Sequence, residues 1–359
     1  MNASSLNVAQ VGLGNFGRRH LDAWHRLGFG DRLWIAEPDQ AKWAEAARFR
    51  FPAERLVRSV QDVLDRVDLV DIVTPTPSHA PLCRLALEAG KDVFIEKPMT
   101  MTSAEARELA EAAQRGRRLV QVGYYYRFHP AAQRLKAELR AGRLGAVRYV
   151  TGNFCGFKRA RTDVGVTHTD GIHFLDLFNW LLDRVPAEVY AVCRDHFGRG
   201  LEDLSVVLLT YPGGVVAKVE SGYIQPGRWK DKVVPGAMTT KELAVVGERA
   251  SAELDFETET LILHDVHHEL RHGVWTAVVG GSTQLPVEPC DPVQMVAREL
   301  EAFLQAVRTR AAGPAGPVES GVNLAVLIEA IYESASRRQP VRIEDKPLEA
   351  VAKPSVSMS

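Results

Sequence analysis

Up to residue 125 the chain alternates short apolar runs with stretches of helical periodicity. Leu6–Val11, Leu33–Ala36, Leu56–Val57, Leu69–Val73, Asp92–Ile95 and Leu119–Gly123 read as strands. Between them, helices are predicted over Asn15–Leu27, Asp39–Arg50, Val60–Arg66 and Pro81–Ala89, and from a T-x-x-E capping box at Thr102 and Glu105 to about Arg115. Continuous apolar strands separated by helices imply right-handed crossovers and a parallel sheet covered on both faces. The rhythm then changes. After a helix over Ala131–Ala141, stopped by Gly142, strands follow one another at Val147–Phe154, Val189–Cys193, Leu204–Tyr211, Val215–Gly222, Leu243–Val246, Ala252–Phe256 and Leu261–His264. Pro212-Gly213-Gly214 marks a hairpin turn, and one helix, Asp170–Leu182, interrupts the run. Closing helices are expected over Val293–Arg310 and Val318–Arg337. The pattern predicts an α/β domain over residues 1–125 and an α+β domain with a large, mostly antiparallel sheet over 126–343. The final helix and strand are expected to fold back on the first domain, and 344–359 to form a tail.

Composition narrows the function. The chain of 359 residues is 46% apolar and 25% charged, enough for large cores without a disulfide or metal staple. Lys+Arg at 44 against Asp+Glu at 45 leaves no basic excess for a nucleic acid. No run is long enough to span a membrane. The four cysteines, Cys83, Cys155, Cys193 and Cys290, form no CxxC pair, which fits a reducing cytoplasm, and the N-terminal residues lack a signal-peptide pattern. His264, His267, His268 and His272 read as solvated groups on an edge strand, so no metal is expected.

The sharpest motif is Gly12-Leu13-Gly14-Asn15-Phe16-Gly17, which follows a strand and opens a helix. Gly12 permits the tight turn, Gly14 lets a pyrophosphate approach the backbone, and Gly17 lets helix and strand pack closely. Glu37 lies 20 residues after Gly17 at the end of the second strand, where a carboxylate accepts from a ribose hydroxyl and repels a 2′-phosphate. NAD is therefore expected over NADP. Thr74-Pro75-Thr76-Pro77-Ser78-His79 and Glu96-Lys97-Pro98 leave the carboxyl ends of two further strands, where open α/β sheets bind ligands. The first is also readable as a proline turn with Ser78 capping the next helix. Lys97 can serve as a general acid or base if burial and a cationic nicotinamide lower its pKa.

These motifs resemble the Gfo/Idh/MocA family of sugar and cyclitol oxidoreductases. The resemblance is carried by GLGNFG, TPTPSH, EKP, GYYYRFHP at Gly123–Pro130, DGIH at Asp170–His173 and the closing segment Val318–Val341. It implies a Rossmann dinucleotide-binding domain, an open-faced sheet domain and a nicotinamide between them. Lys97 matches the family's catalytic lysine, with a cis bond to Pro98, and His173 its catalytic histidine. In the family's D-x-G-x-H pattern the first position is Thr169 here, and an acid, Asp170, follows it. Some sugar-nucleotide dehydrogenases of the family carry a neutral residue there.

Cofactor contacts are expected from Gly12, Gly14, Asn15, Phe16, Gly17, Glu37, Thr74, Pro75, Thr76, His79, Glu96 and Lys97. Substrate contacts are expected from Lys97, Tyr126, Arg127, Arg159, His168, Thr169, Asp170 and His173. Tyr124 and Tyr126 are placed on one side of a strand, with Tyr125 on the other. Phe157–Arg161 is a basic loop, either a solvated face or a seat for an anionic substrate such as a nucleotide diphosphate. Asp176 reads as a structural hydrogen-bonding group. The expected activity is NAD-dependent oxidation of a secondary alcohol of a sugar, sugar derivative or cyclitol, or the reverse, with the hydroxyl proton passing to His173 and Lys97 assisting. An NAD-dependent glycoside hydrolase using transient oxidation and a non-catalytic sugar sensor are the alternatives. A homodimer or homotetramer is expected to cover the open sheet face.

Overall fold

The computed structural model describes residues 6–49, 51–310 and 316–343. Its first layer is a parallel sheet of β1 (Val8–Val11), β2 (Leu33–Ala36), β3 (Leu56–Val57), β4 (Leu69–Ile72), β5 (Asp92–Glu96) and β6 (Val120–Gly123), in the order β3-β2-β1-β4-β5-β6. Strands β1, β4, β5 and β6 are buried along their whole length, which is why they read as unbroken apolar runs. Polar residues interrupt those runs at Gln10 in β1, Asp71 in β4 and Gln121 in β6, and all three are buried. The covering helices are α1 (Asn15–Arg26), α2 (Ala44–Ala47), α3 (His79–Glu88) and α4 (Ser103–Gly116). Thr102 and Glu105 close the capping box at the start of α4 as the spacing predicts. The helix expected over Asp39–Arg50 is shorter, a 3-10 turn over Gln40–Trp43 followed by α2 (Arg50 lies outside the described residues). Val60–Arg66 is likewise 3-10.

The second layer begins after α5 (Pro130–Arg140) with β7 (Val147–Cys155), α6 (Ile172–Leu182), β8 (Glu188–Arg194), β9 (Leu204–Thr210), β10 (Val216–Gly222), β11 (Trp229–Lys230), β12 (Met238–Gly247), β13 (Ser251–Asp255), β14 (Thr260–Arg271) and β15 (Val274–Leu285). With β16 (Val341–Arg342) these form one sheet, ordered β15-β14-β13-β12-β7-β10-β9-β8-β16, with β11 beside β12. All its pairings are antiparallel except β7 with β10. The sheet packs one face on α6, where Gly152 of β7 makes room: a β-carbon there would lie 2.6 Å from the Phe174 ring. The other face carries Tyr149, Tyr190, Leu208, Val216 and Val246, all exposed.

Strand β15 is absent from the sequence reading. Its residues are mostly exposed on both sides, so no alternation of burial marks it, and only its pairing with β14 makes it a strand. His264, His267 and His268 consequently lie in β14 inside the sheet and His272 in the turn to β15, which forms the edge. Tyr124–Phe128 is also corrected. Residues Tyr125–Phe128 form a 3-10 turn with all three tyrosines buried, so they do not alternate across a strand.

Two helices close the fold. On the parallel sheet, α7 (Pro292–Thr309) sets Phe303 edge-on to Phe94 of β5. Helix α8 (Val318–Arg337) touches both layers: Glu329 accepts from the Ser103 backbone N–H and hydroxyl, and Ser334 Oγ accepts from Ala191 N of β8. The expected tail lies outside the described residues. Among the described residues no helix is long and apolar enough to cross a membrane, and all four cysteines are free thiols.

Candidate active site

The glycine turn is built as its spacing requires. Gly12 has φ +101°, and a β-carbon there would lie 2.6 Å from the Val73 carbonyl oxygen; one at Gly17 would lie 2.5 Å from the Gly12 oxygen. Gln10 donates its amide to both the Gly12 and Gly17 carbonyls at 2.9 Å and pins the turn from below. Gly14 is the N-cap of α1, with no side-chain cap and no acid in the first turn, and open space stands where its β-carbon would be. Asn15 is exposed and Phe16 half-buried beside it. The uncapped N–H groups and the helix dipole favour an anion here. At the end of β2, Glu37 accepts from Leu13 N at 2.8 Å and Asp39 N at 3.1 Å, with Lys42 Nζ 3.3 Å away. An open cradle, free donors and a carboxylate at the second strand fit a dinucleotide carrying a ribose diol.

The other predicted cofactor contacts divide. Thr74 is half-buried, Pro75 exposed and Thr76 buried on the loop after β4. Ser78 does not cap α3; its hydroxyl donates within the loop, to Thr74 Oγ1 and Pro75 O, both at 2.7 Å. His79 sets one ring nitrogen 2.8 Å from the Thr74 oxygen and the other 2.8 Å from the Pro98 oxygen. It ties the two loops together rather than presenting its ring to a ligand. Glu96 also turns inward, one oxygen toward His20 and the other to the Lys97 backbone N–H. Neither His79 nor Glu96 is offered to a cofactor by this geometry.

Lys97 follows β5 in a cis peptide with Pro98. Its Nζ donates to the Thr169 carbonyl at 2.7 Å, across from one layer to the other. Burial pulls its pKa down to about 8, with Arg161 and Lys158 lowering it further against the pull of Glu96 and Asp170. Thr169 sits in a π-helical turn, Thr167–Gly171, that precedes α6. Such widened turns expose backbone carbonyls and recur at functional sites. The Thr169 hydroxyl lies 2.5 Å from Tyr223 OH.

His173, on the first turn of α6, stands edge-on to Tyr125 and Tyr126 and stacks on Phe154 at 5.8 Å. Its Nδ1 is buried with no partner among the described residues. No carboxylate among the described residues orients it. Burial, then the charges of Lys97, Lys158 and Lys241, hold it well below its usual pKa, so the ring is neutral. The acid beside it, Asp170, pairs one oxygen with Lys158 Nζ at 2.7 Å and leaves Oδ2 buried and unpartnered.

Several neighbours escape the sequence reading. Lys241 of β12 lies 5.1 Å from the Phe154 ring centroid and is salt-bridged to Asp231 at 3.0 Å and Glu257 at 2.6 Å, with all three side chains buried. Glu257 Oε2 has no partner. The signal for Lys241 is its register, since positions 239, 241, 243 and 245 share the buried face of β12. Asp231 and Glu257 leave no such trace.

Arg127 is a correction. It is buried in a two-pronged pair with Asp176, at 2.8 and 2.5 Å, and also donates to Ser320. That pair lines a separate cavity of about 500 Å³ with Asn179, Trp180 and Arg184, in which neither Lys97 nor His173 takes part. His168 lies 2.8 Å from Tyr332 OH, which donates to Glu202. Tyr126 stands edge-on to His173, and Arg159 is exposed. No cluster able to hold a metal occurs among the described residues.

Comparison with known proteins follows the same lines. Residues 6–124 match the model of an oxidoreductase family with an NAD-binding Rossmann fold, and 132–253 match the GFO/IDH/MocA C-terminal domain. The chain is 28% identical to a D-apiose dehydrogenase of Paraburkholderia graminis over 97% of this chain and 92% of that one. It is 31% identical to a UDP-N-acetylglucosamine 3-dehydrogenase of Acidithiobacillus ferrooxidans, over 63% of this chain and 72% of the relative. A levoglucosan dehydrogenase in complex with NADH shares the fold at TM-score 0.80 and 20% identity, over 95% of this chain and 99% of that one. The chain belongs to the Gfo/Idh/MocA oxidoreductase family, with an NAD-binding Rossmann domain followed by the family's C-terminal sheet domain.

Proposed function

We propose that the protein oxidises a secondary alcohol of a neutral sugar or cyclitol with NAD, or reduces the corresponding ketone. The observation that carries this reading is the meeting of Lys97 and His173 across the Thr169 turn, at the carboxyl end of the sheet whose first strand opens into the glycine cradle. NAD, when bound, supplies the hydride acceptor. Lys97 is the group suited to take the hydroxyl proton, because an amine poised at about 8 exchanges its proton near neutral pH. His173, kept neutral and lacking a carboxylate, orients the hydroxyl by a hydrogen bond. This divides the work differently from the resemblance, in which the histidine takes the proton. Thr169 fixes the amine, and the aromatic walls Tyr125, Tyr126 and Phe154 exclude water.

The charge inventory favours an uncharged ligand. Lys158 is paired with Asp170, Arg161 with Asp163, and Lys241 with two acids. The unpartnered oxygens Asp170 Oδ2 and Glu257 Oε2 call for donors, which sugar hydroxyls supply and phosphates do not. Among the relatives, the D-apiose and inositol dehydrogenases are named for neutral substrates of this class, and the UDP-N-acetylglucosamine 3-dehydrogenase for a charged one. Four free thiols suit a cytoplasmic protein, and the exposed apolar row on the second sheet suits a homo-oligomer. The residues 1–125 and 126–343 are taken as the two functional domains.

A panel of free aldoses, cyclitols and UDP-sugars with NAD, followed at 340 nm, tests the reading. Stoichiometric NADH formation with a neutral sugar is expected. Turnover confined to UDP-sugars overturns the neutral class, and aglycone release from glycosides without net NADH overturns the dehydrogenase.

A further inference from the structure

Behind Lys97 lies a buried charge network that the reaction as described does not use. His20 of α1 is wholly buried, with Nδ1 2.9 Å from Asp71 Oδ2 and Nε2 3.3 Å from Glu96 Oε1. Trp24 Nε1 donates to the same Asp71 oxygen at 2.7 Å. The other Glu96 oxygen accepts the Lys97 backbone N–H at 3.1 Å. Phe16 and Phe94 cover the imidazole, with ring centroids 5.3 and 5.6 Å away. A β-carbon at position 123 would overlap the Glu96 carboxyl, so Gly123 of β6 leaves the space in which that carboxyl sits.

Each ring nitrogen of His20 faces a carboxylate oxygen, so both donate and the ring is an imidazolium. Burial opposes that charge, but Asp71 and Glu96 hold its pKa up at about 10. Glu299 of α7, close by, is wholly buried; burial and the Glu96 charge push its pKa well up and keep it protonated, with His20, the Tyr124 backbone N–H and Arg127 pulling the other way. The network is thus one cation between two anions, with a neutral acid beside it.

We propose that His20 is a positioning residue for Lys97: it holds the Glu96 carboxylate beneath the strand end, on the Lys97 peptide N–H, and keeps it from pairing with the ε-amine. Lys97 otherwise faces Asp170 from the π-turn, Lys158 and Arg161 from the segment after β7, and the neutral His173. Glu96 is the carboxylate nearest in sequence and the first among the charges that raise the lysine. Left unanchored and uncompensated, it keeps the amine protonated at the pH where the reaction needs it free. This rests on the reading of Lys97 as the proton-transfer group.

The test compares the wild type with His20→Gln and His20→Gln/Glu96→Gln. Lys97 ionisation is followed by its ¹³Cε shift and, separately, by the pH dependence of kcat. In His20→Gln the midpoint is expected to rise by about one pH unit, costing about tenfold in turnover at neutral pH and recovering in alkali. Adding Glu96→Gln is expected to return the midpoint to the wild-type value or below. A folded His20→Gln protein whose Lys97 midpoint does not move overturns the proposal. If His20→Gln does not fold, ¹⁵N-histidine spectra of the wild type decide: a doubly protonated His20 ring from pH 6 to about 9 supports the proposal, and a singly protonated ring at neutral pH overturns it. A wild type that oxidises no sugar counts against the proposed function alone, because both NMR readouts are independent of turnover.

Discussion

Lys97 Nζ and the carbonyl oxygen of Thr169 lie 2.7 Å apart, a hydrogen bond that joins the end of a parallel strand to a π-turn in the second layer. The bond uses one of the amine's donors and fixes its direction while leaving the nitrogen free to gain or lose a proton. Replacing Lys97 by Met should lower kcat by about 10²–10⁴-fold. NADH affinity, measured by fluorescence titration, should change little, because the glycine cradle and Glu37 are separate from the amine. In the wild type, kcat for oxidation should rise with pH through a midpoint near 8, since only the deprotonated amine accepts a proton. A profile flat from pH 6.5 to 9.5 removes Lys97 from proton transfer.

His173 should behave differently. Its ring is neutral throughout the working range, held there by burial and by three lysines. His173→Ala should lower kcat by roughly 10²-fold through lost orientation of the hydroxyl. The alkaline midpoint should stay within a few tenths of a unit, because no charge is removed from beside Lys97. A mutant that loses the midpoint along with the rate makes His173 the titrating base instead.

Glu37 tests the cofactor preference. Its carboxylate is held by Leu13 N and Asp39 N at the end of β2, with Lys42 3.3 Å from one oxygen. Glu37→Ser should remove the acceptor for a ribose diol and free Lys42 for a 2′-phosphate. The ratio of kcat/KM for NAD over NADP should fall by at least about tenfold, from a loss with NAD and a gain with NADP. An unchanged ratio removes Glu37 from cofactor choice.

Much of this was legible because the signals are local. The glycine turn, its strand and helix, Glu37 and the Thr102–Glu105 cap each follow from residues within one βα unit. The partners of Lys97 and His173 were not. Tyr125 and Tyr126 read as strand residues, whereas the packing of His173 and Phe256 against Tyr126 goes with a 3-10 turn. Arg127 read as a substrate contact within the GYYYRFHP segment; Asp176, 49 residues on, supplies its buried pair. The Asp231–Lys241–Glu257 cluster is assembled by three segments of the second sheet domain, and only the inward register of Lys241 hinted at it.

His129 links pH to stability. It is the N-cap of α5, and its Nδ1 lone pair accepts the Ala131 N–H at 3.2 Å, with the ring edge-on to Phe256 at 5.0 Å. Protonation of that nitrogen would remove the acceptor and put a charge among apolar groups; burial accordingly lowers the pKa to about 4. The unfolded histidine, near 6.5, then binds more protons than the folded one between those two values, so stability is lost as pH falls through that window. The loss from this group is about 2 kcal/mol at pH 5 relative to neutral pH. Asn is a good N-cap that does not titrate. His129→Asn should therefore keep most of the stability at pH 7.5 and lose less of it at pH 5, as read by urea unfolding at the two pH values. An equal acid-induced loss in both proteins places the acid sensitivity elsewhere among the buried histidines.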